Sequence, residues 1–423
     1  MIGNYRPSLA AARALGRMGY RVVLGAEPGS SGAERSHFVD EIWRLPDPQL
    51  GVAAFRAALD SRLQSDPSIT FVLPMRESII ELVDASRDVV PHGVLVATPQ
   101  HNALRICLDK MAWLRFCRDV GIPCPSFDAA SSLAELRQTV NGIGCPVVIR
   151  PVEAGKRIWH RKAITLERMD NFDLQFPEWP ADLSELLVQK RFVGDRYNVY
   201  FGARDGKIVR ELHSYSLRTD RIDGSGQTIE GVVVPPISTH SAMLATVVGA
   251  MKYTGIGNAQ FLHDRSSRES CFLEINPRFG GSHSFVERSG FEQTRLALDL
   301  ARPDYKSSPP KTVRTVRFVW TYGDLQGLLF SLRAGDLTAK QALAWALACG
   351  RAALTSDVHV TWSWTDPSQT IGIYLSRFGR VIRRRKELTK SKKDGSLFKP
   401  RVSRMTIALA AKGRYGLRLI TRR

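Results

Sequence analysis

Leu9, Ala12, Leu15 and Met18 recur at helical spacing within residues 7–19, and the apolar run Tyr20-Arg-Val-Val-Leu24 that follows stops at Gly25. A helix followed by a short buried strand predicts an α/β unit. The strand signature returns at Phe71-Val-Leu-Pro74 and Gly93-Val-Leu-Val-Ala97, with a helix predicted over residues 78–85 between them. Residues 1–100 are therefore expected to form a doubly wound domain. A helix is predicted over residues 102–120, closed by Gly121-Ile-Pro-Cys-Pro125, and Cys145-Pro-Val-Val-Ile-Arg-Pro151 reads as a strand with one outward cation, Arg150. Tyr197-Asn-Val-Tyr-Phe201 reads as an antiparallel strand, with Asp205-Gly206 predicting a hairpin turn into Lys207-Ile-Val-Arg-Glu211. Beyond residue 313 one more strand and helical stretches around 325–332 and 339–354 are expected. Trp362 and Trp364 are expected to pack in the core of a closing segment.

The most informative pattern lies between residues 257 and 276. Gly257-Asn-Ala-Gln-Phe-Leu-His263 and Cys271-Phe-Leu-Glu-Ile-Asn276 are apolar-rich runs separated by a polar stretch, which predicts a hairpin. A turn centred on Ser267 sets Gln260 opposite Glu274 and Asn258 opposite Asn276, and side chains two apart share a face. Ala259, Phe261, Leu273 and Ile275 then form the packing face. The other face offers carboxylate and amide oxygens, the donors that a hard cation such as Mg²⁺ takes together with nucleotide phosphates. After the strand, Arg278 supplies a guanidinium for an anion, and Gly280-Gly281 lets backbone approach a ligand closely.

The 423 residues exceed one typical core and suggest several subdomains. The six cysteines, at 107, 117, 124, 145, 271 and 349, have neither a zinc-site spacing nor a disulfide framework. No apolar run approaches the ~20 residues of a membrane span, and the sequence opens without a signal-peptide pattern, so a cytoplasmic protein is expected. The net charge of +19 is unevenly placed: residues 376–423 hold 17 Lys and Arg against 2 acids, leaving +4 on the rest. The tail could dock on an anionic membrane surface, a polysaccharide or nucleic acid, or be a solvated basic end; its interleaved Ile407, Leu409, Leu417 and Leu419 favour the membrane over nucleic acid.

Glu274-Ile-Asn-Pro-Arg-Phe-Gly-Gly-Ser282 resembles the signature of the ATP-grasp superfamily, particularly the branch that includes the carbamoyl phosphate synthase large chain, and Asn258-Ala-Gln260 resembles the family's Asn-x-Gln at matching separation. The resemblance covers about residues 7–300. It implies an α/β and α+β protein with the ATP-grasp fold: an N-terminal domain at 1–100, a small subdomain at 101–185, an antiparallel-sheet subdomain with the metal site at 186–305, a closing segment at 306–375 and the basic tail at 376–423. Such proteins usually begin with a strand ahead of the first helix. Here residues 1–3 leave almost none of it, so that strand is expected to be missing, or the start to be late, with a sheet edge needing cover.

The resemblance further implies ATP and Mg²⁺ (or Mn²⁺), the metal held by Gln260, Glu274 and Asn276. Lys110 and Arg150 are expected on phosphates, Asn258 on the nucleotide, and the stretch with Gln189, Lys190 and Phe192 on adenine. Many relatives carry a ribose-binding glutamate where this chain has Arg196, making Asp195 the expected substitute. Relatives also place several glycines in the loop at 152–159; with Gly155 alone, Lys156 and Arg157 either replace backbone donors by charge or the loop has lost its function. Asn276 and Arg278 are expected at the reaction centre. The implied activity is ATP-dependent ligation of a carboxylate, small or polymer-borne, to an amine through an acylphosphate. The alternative is a nucleotide-binding protein without turnover.

Overall fold

The computed structural model describes residues 1–375 except 154, 155, 160, 225, 307–311 and 373. Met1–Ile371 pack as one unit; a second begins at Gly372, and its basic stretch 376–423, with the partners expected of it, lies outside the described residues. Among the described residues no helix is long and apolar enough to cross a membrane.

The first elements are α1 (Arg6–Arg17), β1 (Val23–Ala26), β2 (Glu41–Arg44), α2 (Gly51–Ser65), β3 (Phe71–Val72), α3 (Glu77–Asp84) and β4 (Leu95–Val96). β1 pairs in parallel with β2, and β3 with β4. The expectation of a missing first strand is corrected at this point. Ile2 bridges in parallel to both Gly25 and Pro74. Backbone bonds from Ile2 to Leu73 and Met75 to Ile2 (2.9 Å each), and from Gly3 to Gly25 and Gly25 to Met1 (2.8 Å each), stitch residues 1–3 between β1 and β3. Three residues suffice because a central position bonds on both sides, and Ile2 packs on Phe55, Leu59, Val72 and Ile79 beneath.

The helix expected over residues 102–120 is two helices, α4 (His101–Leu108) and α5 (Lys110–Asp119). Asp109 breaks it: at φ −102°, ψ 119° it leaves the helical region, and its carboxylate accepts from the N–H groups of Met111 and Ala112 as the N-cap of α5. Lys110 thereby becomes the first residue of a helix.

β5 (Phe127–Ala130), α6 (Leu133–Ile143), β6 (Val147–Pro151), β7 (Ile164–Leu166), α7 (Phe172–Gln175) and β8 (Leu186–Lys190) build a four-stranded antiparallel sheet in the order β5-β8-β6-β7. Leu136, Val140, Ile149, Leu166, Phe172 and Val188 form its core.

β9 (Asp195–Arg204), β10 (Lys207–Thr219), β11 (Thr228–Val234), α8 (Ser238–Ala250), β12 (Gly255–His263), β13 (Ser270–Asn276), α9 (His283–Arg288), α10 (Gln293–Ala301), β14 (Arg317–Val319), α11 (Thr321–Ala334), α12 (Ala339–Thr355) and β15 (Val358–His359) complete the unit. The second sheet runs β13-β12-β9-β10-β11-β14-β15. Asp205 and Gly206, at φ 48° and 79°, make the predicted tight turn between β9 and β10. The closing segment differs from expectation: Trp364 is 86% exposed, whereas Asp366 is fully buried against Arg13 of α1. Charge pairing, not aromatic packing, anchors it.

Candidate functional site

β12 and β13 pair Asn258 with Asn276, Ala259 with Ile275 and Gln260 with Glu274, the register expected from the alternation. A bulge then shifts the ladder so that Phe261 meets Phe272. Phe272, not the expected Leu273, takes the core position, stacking on Phe261 with ring centroids 4.2 Å apart, while Leu273 is half-buried. Each buried phenylalanine contributes roughly 1.5–3 kcal/mol. A one-residue slip would exchange that gain for a carboxylate in the core, so the register is strongly specified.

Glu274, Gln260, Asn276 and Asn258 therefore share one face. Asn276 Nδ2 donates to Glu274 Oε1 at 2.9 Å. The Asn258 Oδ1 oxygen is buried and accepts nothing among the described residues. β9 lies beside β12 and pairs Arg196, Asn198 and Tyr200 with Leu262, Gln260 and Asn258. Asn198 Nδ2 reaches Ser216 Oγ on β10 at 3.5 Å. Asn198, Tyr200 and Ser216 are residues the sequence reading missed; the period-two order Arg196-x-Asn198-x-Tyr200 on β9 is the signal that places the first two on this face, and Ser216 of β10 joins them through Asn198.

Two cations come to the face from elsewhere. Lys110 Nζ donates to the Pro151 carbonyl at 3.3 Å, and Arg150 Nη2 donates to Gln189 Oε1 at 3.3 Å, while Arg150 Nε is buried and unbonded among the described residues. Burial lowers the Lys110 pKa, the charge of Arg150 lowers it further, and Glu274 opposes both. Burial likewise lowers that of Arg150 against Glu274. Arg196 also sits in the field of Glu274, and its guanidinium donates to the carbonyls of Gly226 (2.6 Å) and Gly224 (3.4 Å). Positive charge held out of water around one carboxylate favours a polyanion.

Arg278 leaves the end of β13 and reaches α3. Glu77 Oε1 accepts from its Nε (3.0 Å) and Nη2 (2.6 Å), and Asn276 Oδ1 accepts from Nη2 at 3.0 Å. Burial opposes the charge of Arg278, but Tyr5, Glu77 and Glu274 outweigh it, so its pKa is raised. The backbone of Gly280-Gly281 approaches the protein's own side chains. A Cβ on Gly280 would fall 2.6 Å from the Tyr200 ring, and one on Gly281 would collide with Arg6 Nη2.

Lys190, Asp195 and Lys156, expected near adenine, the ribose and in the 152–159 loop, bond within the protein. Lys190 Nζ donates to the carbonyls of Gly144 (2.9 Å) and Cys145 (3.0 Å). The Lys190 and Arg191 N–H groups bond Ser126 and Pro146, and Phe192 follows half-buried in the connection to β9. Asp195 forms an ion pair of 2.5 Å with Arg265. Lys156 Nζ reaches the Asp182 carbonyl at 3.3 Å.

Among the described residues no cluster of three His, Cys, Asp or Glu side chains is placed to hold a metal. A cation at this face would meet one carboxylate and amide oxygens, a donor set that suits a hard ion also bound by phosphates. The Asn258 oxygen, without a partner among the described residues, and Gln260, paired across from Glu274, fit such a role.

The family described as carbamoyl-phosphate synthase L chain, ATP binding domain, matches residues 237–302, the stretch from α8 through the hairpin to α10. The carbamoyl phosphate synthase large chain of Thermotoga neapolitana is 25% identical over 232 residues, 51% of this chain and 20% of its own length. Multifunctional protein pyrABCN of Emericella nidulans is 25% identical over 236 residues, 52% of this chain and 10% of its own. The chain thus spans a tenth to a fifth of the length of these relatives. Among solved structures, a biotin carboxylase complex from Campylobacter jejuni aligns with a TM-score of 0.58 at 14% identity, over 74% of this chain and 73% of that one. N5-carboxyaminoimidazole synthetase from Staphylococcus aureus aligns with a TM-score of 0.56 at 13% identity, over 75% and 79%. Residues 237–302 thus match that ATP-binding family, the chain is similar over about half its length to carbamoyl phosphate synthase large chains, and its fold is that of the ATP-grasp structures it aligns with.

Proposed function

We propose that the protein binds ATP with Mg²⁺ or Mn²⁺ on the β12–β13 face and activates a carboxylate as an acylphosphate for attack by an amine or similar nucleophile. The observation that carries this reading is the convergence of Lys110, Arg150 and Arg278 on the paired Gln260, Glu274 and Asn276. Residues 101–185 and 186–305 would contribute its two halves.

A carboxylate oxygen forms a bond to the γ-phosphorus as the bond to the bridging oxygen breaks, and ADP leaves. The amine then bonds to the acyl carbon, loses a proton and displaces phosphate. Neither step needs a protein nucleophile; both need charge neutralisation and alignment. Lys110 and Arg150 neutralise phosphate oxygens, and Arg278, aimed by Glu77, holds the reacting carboxylate. A metal held by Glu274, Gln260 and Asn276 would add charge compensation between phosphate oxygens. The N–H groups of Phe192 and Val193, bonded to no main-chain carbonyl among the described residues, would serve an adenine edge.

The test is ADP release from Mg-ATP over a panel of carboxylates and amines. ADP is expected with at least one pair, and Glu274→Ala should lower the rate about a hundredfold or more. Tight ATP binding without ADP from any pair would overturn the ligase reading, and a fully active Glu274→Ala would overturn the metal assignment.

A further inference from the structure

The N-terminal sheet reverses its order at Ile2, running through β1 and β2 to one side and through β3 and β4 to the other. In such sheets the carboxyl ends of the strands flanking the reversal open a crevice that receives ligand groups. Here Tyr5 and Arg6 leave one end and Arg76 and Glu77 the other, and Arg278 reaches in to pair with Glu77.

Among the described residues Arg6 makes no ion pair within 4.0 Å. Its guanidinium lies over the Trp320 ring, 3.6 Å from the centroid, and approaches Gly281 so closely that a Cβ there would collide with Nη2. Nη2 donates to a neutral amide, Gln227 Oε1, at 3.1 Å on the exposed side. Nη1 is buried and bonds nothing among the described residues. Burial pulls its pKa down to about 10; Tyr5, Tyr200 and Asp220 oppose this, and the charge of Arg278 adds to it. Asp220 is the carboxylate that faces it, and Asp220 Oδ1 accepts from the Gln227 N–H at 2.7 Å. A guanidinium fixed flat by stacking, beside a second guanidinium and bonded to a neutral amide, is set up for an anion, because a charge-assisted bond is about twice as strong as the neutral one it replaces.

Resting on the ligase reading, we propose that Arg6 is a second anion-binding residue beside Arg278. The substrate to be activated then bears two anionic groups, a further carboxylate or a phosphate besides the carboxylate that reacts, and is called a dianion for that count of groups. Gln227 yields its place to this second group, and the spacing of the two guanidiniums selects the substrate.

The test is calorimetric titration of the full chain, loaded with a non-hydrolysable ATP analogue and Mg²⁺, with four probes: succinate and phosphoglycolate, each with two anionic groups, and butyrate and glycolate, their counterparts with one. One or both dianions should bind about tenfold or more tighter than their counterparts, and the stronger of the two identifies the second group. Arg6→Gln should remove that preference while changing butyrate and glycolate binding by less than about twofold, with Arg6→Lys restoring part of it. Equal binding of dianions and monoanions, no binding of either dianion, or equal weakening of all probes in a folded Arg6→Lys would overturn the proposal. ADP release with monocarboxylates and no dianion preference would remove this subsite and leave the ligase reading; an Arg6-dependent preference without ADP release would do the reverse.

Discussion

Arg278 shows how a single side chain is aimed. Both bonds to α3 end on the same oxygen, Glu77 Oε1, while Asn276 Oδ1 holds Nη2 from the strand side. Glu77 is 46% exposed, so the pair adds under ~1 kcal/mol to stability. Its effect is on direction. Glu77→Gln is expected to raise the KM for the carboxylate about tenfold with a smaller change in kcat and little change in Tm, since a misaimed guanidinium binds ground and transition states alike less well. An unchanged KM would show that Asn276 alone suffices. The pairing of Gln260 with Glu274 was legible in the sequence because alternation carries register information over a short hairpin. Glu77 was not, because 201 positions separate it from Arg278 and no local spacing encodes that contact.

At the scale of elements, local chemistry overrode periodicity where the two disagreed. Met111, Leu114 and Cys117 continue the apolar spacing of Ala103 and Leu104, and all five are buried, so residues 102–120 read as one helix. A capping carboxylate at Asp109 outweighs that continuity and turns Lys110 toward the Pro151 carbonyl. Asp109→Ala is expected to cost about 1 kcal/mol and to raise the KM for ATP, because it removes both cap bonds and lets Lys110 drift. Asp109→Asn keeps an acceptor and should lose less. Thermal melts and ATP titration of both variants measure the two effects; a destabilised Asp109→Ala with unaltered ATP affinity would remove Lys110 from the phosphate site. Asp205-Gly206, by contrast, was readable because a tight turn with two positive φ values needs such residues. The bulge that brings Phe272 rather than Leu273 inward leaves no such compositional mark.

At the scale of the whole molecule, the chain is closed by buried charge. Glu230 on β11 accepts from Arg218, Arg317 and Arg351, joining β10, β14 and α12. Asp366 accepts from Arg13 Nε (2.8 Å) and Ser36 Oγ (2.6 Å), with His37 Nδ1 at 3.3 Å, and Arg13 also donates to the Asp366 and Thr361 carbonyls. Arg13 is on α1, the helix that begins with Arg6, so this lock also steadies one wall of the crevice. Removing one partner of a buried pair leaves the other uncompensated, and Asp366→Ala is expected to cost about 3–5 kcal/mol at neutral pH. Burial opposes ionisation of Asp366, but the bonds from Ser36 and Arg13 outweigh it and its pKa is lowered. A carboxyl with a depressed folded-state pKa stabilises above its unfolded value near ~3.9 and loses that contribution as pH falls through the folded value. Urea midpoints between about pH 7 and pH 3 should therefore fall more steeply for the wild type than for Asp366→Ala, the two curves converging in acid as the wild type loses what the variant lacks. Parallel curves would mean that Asp366 titrates alike in folded and unfolded chains, and the lock would then rest on Arg13 and its carbonyl partners.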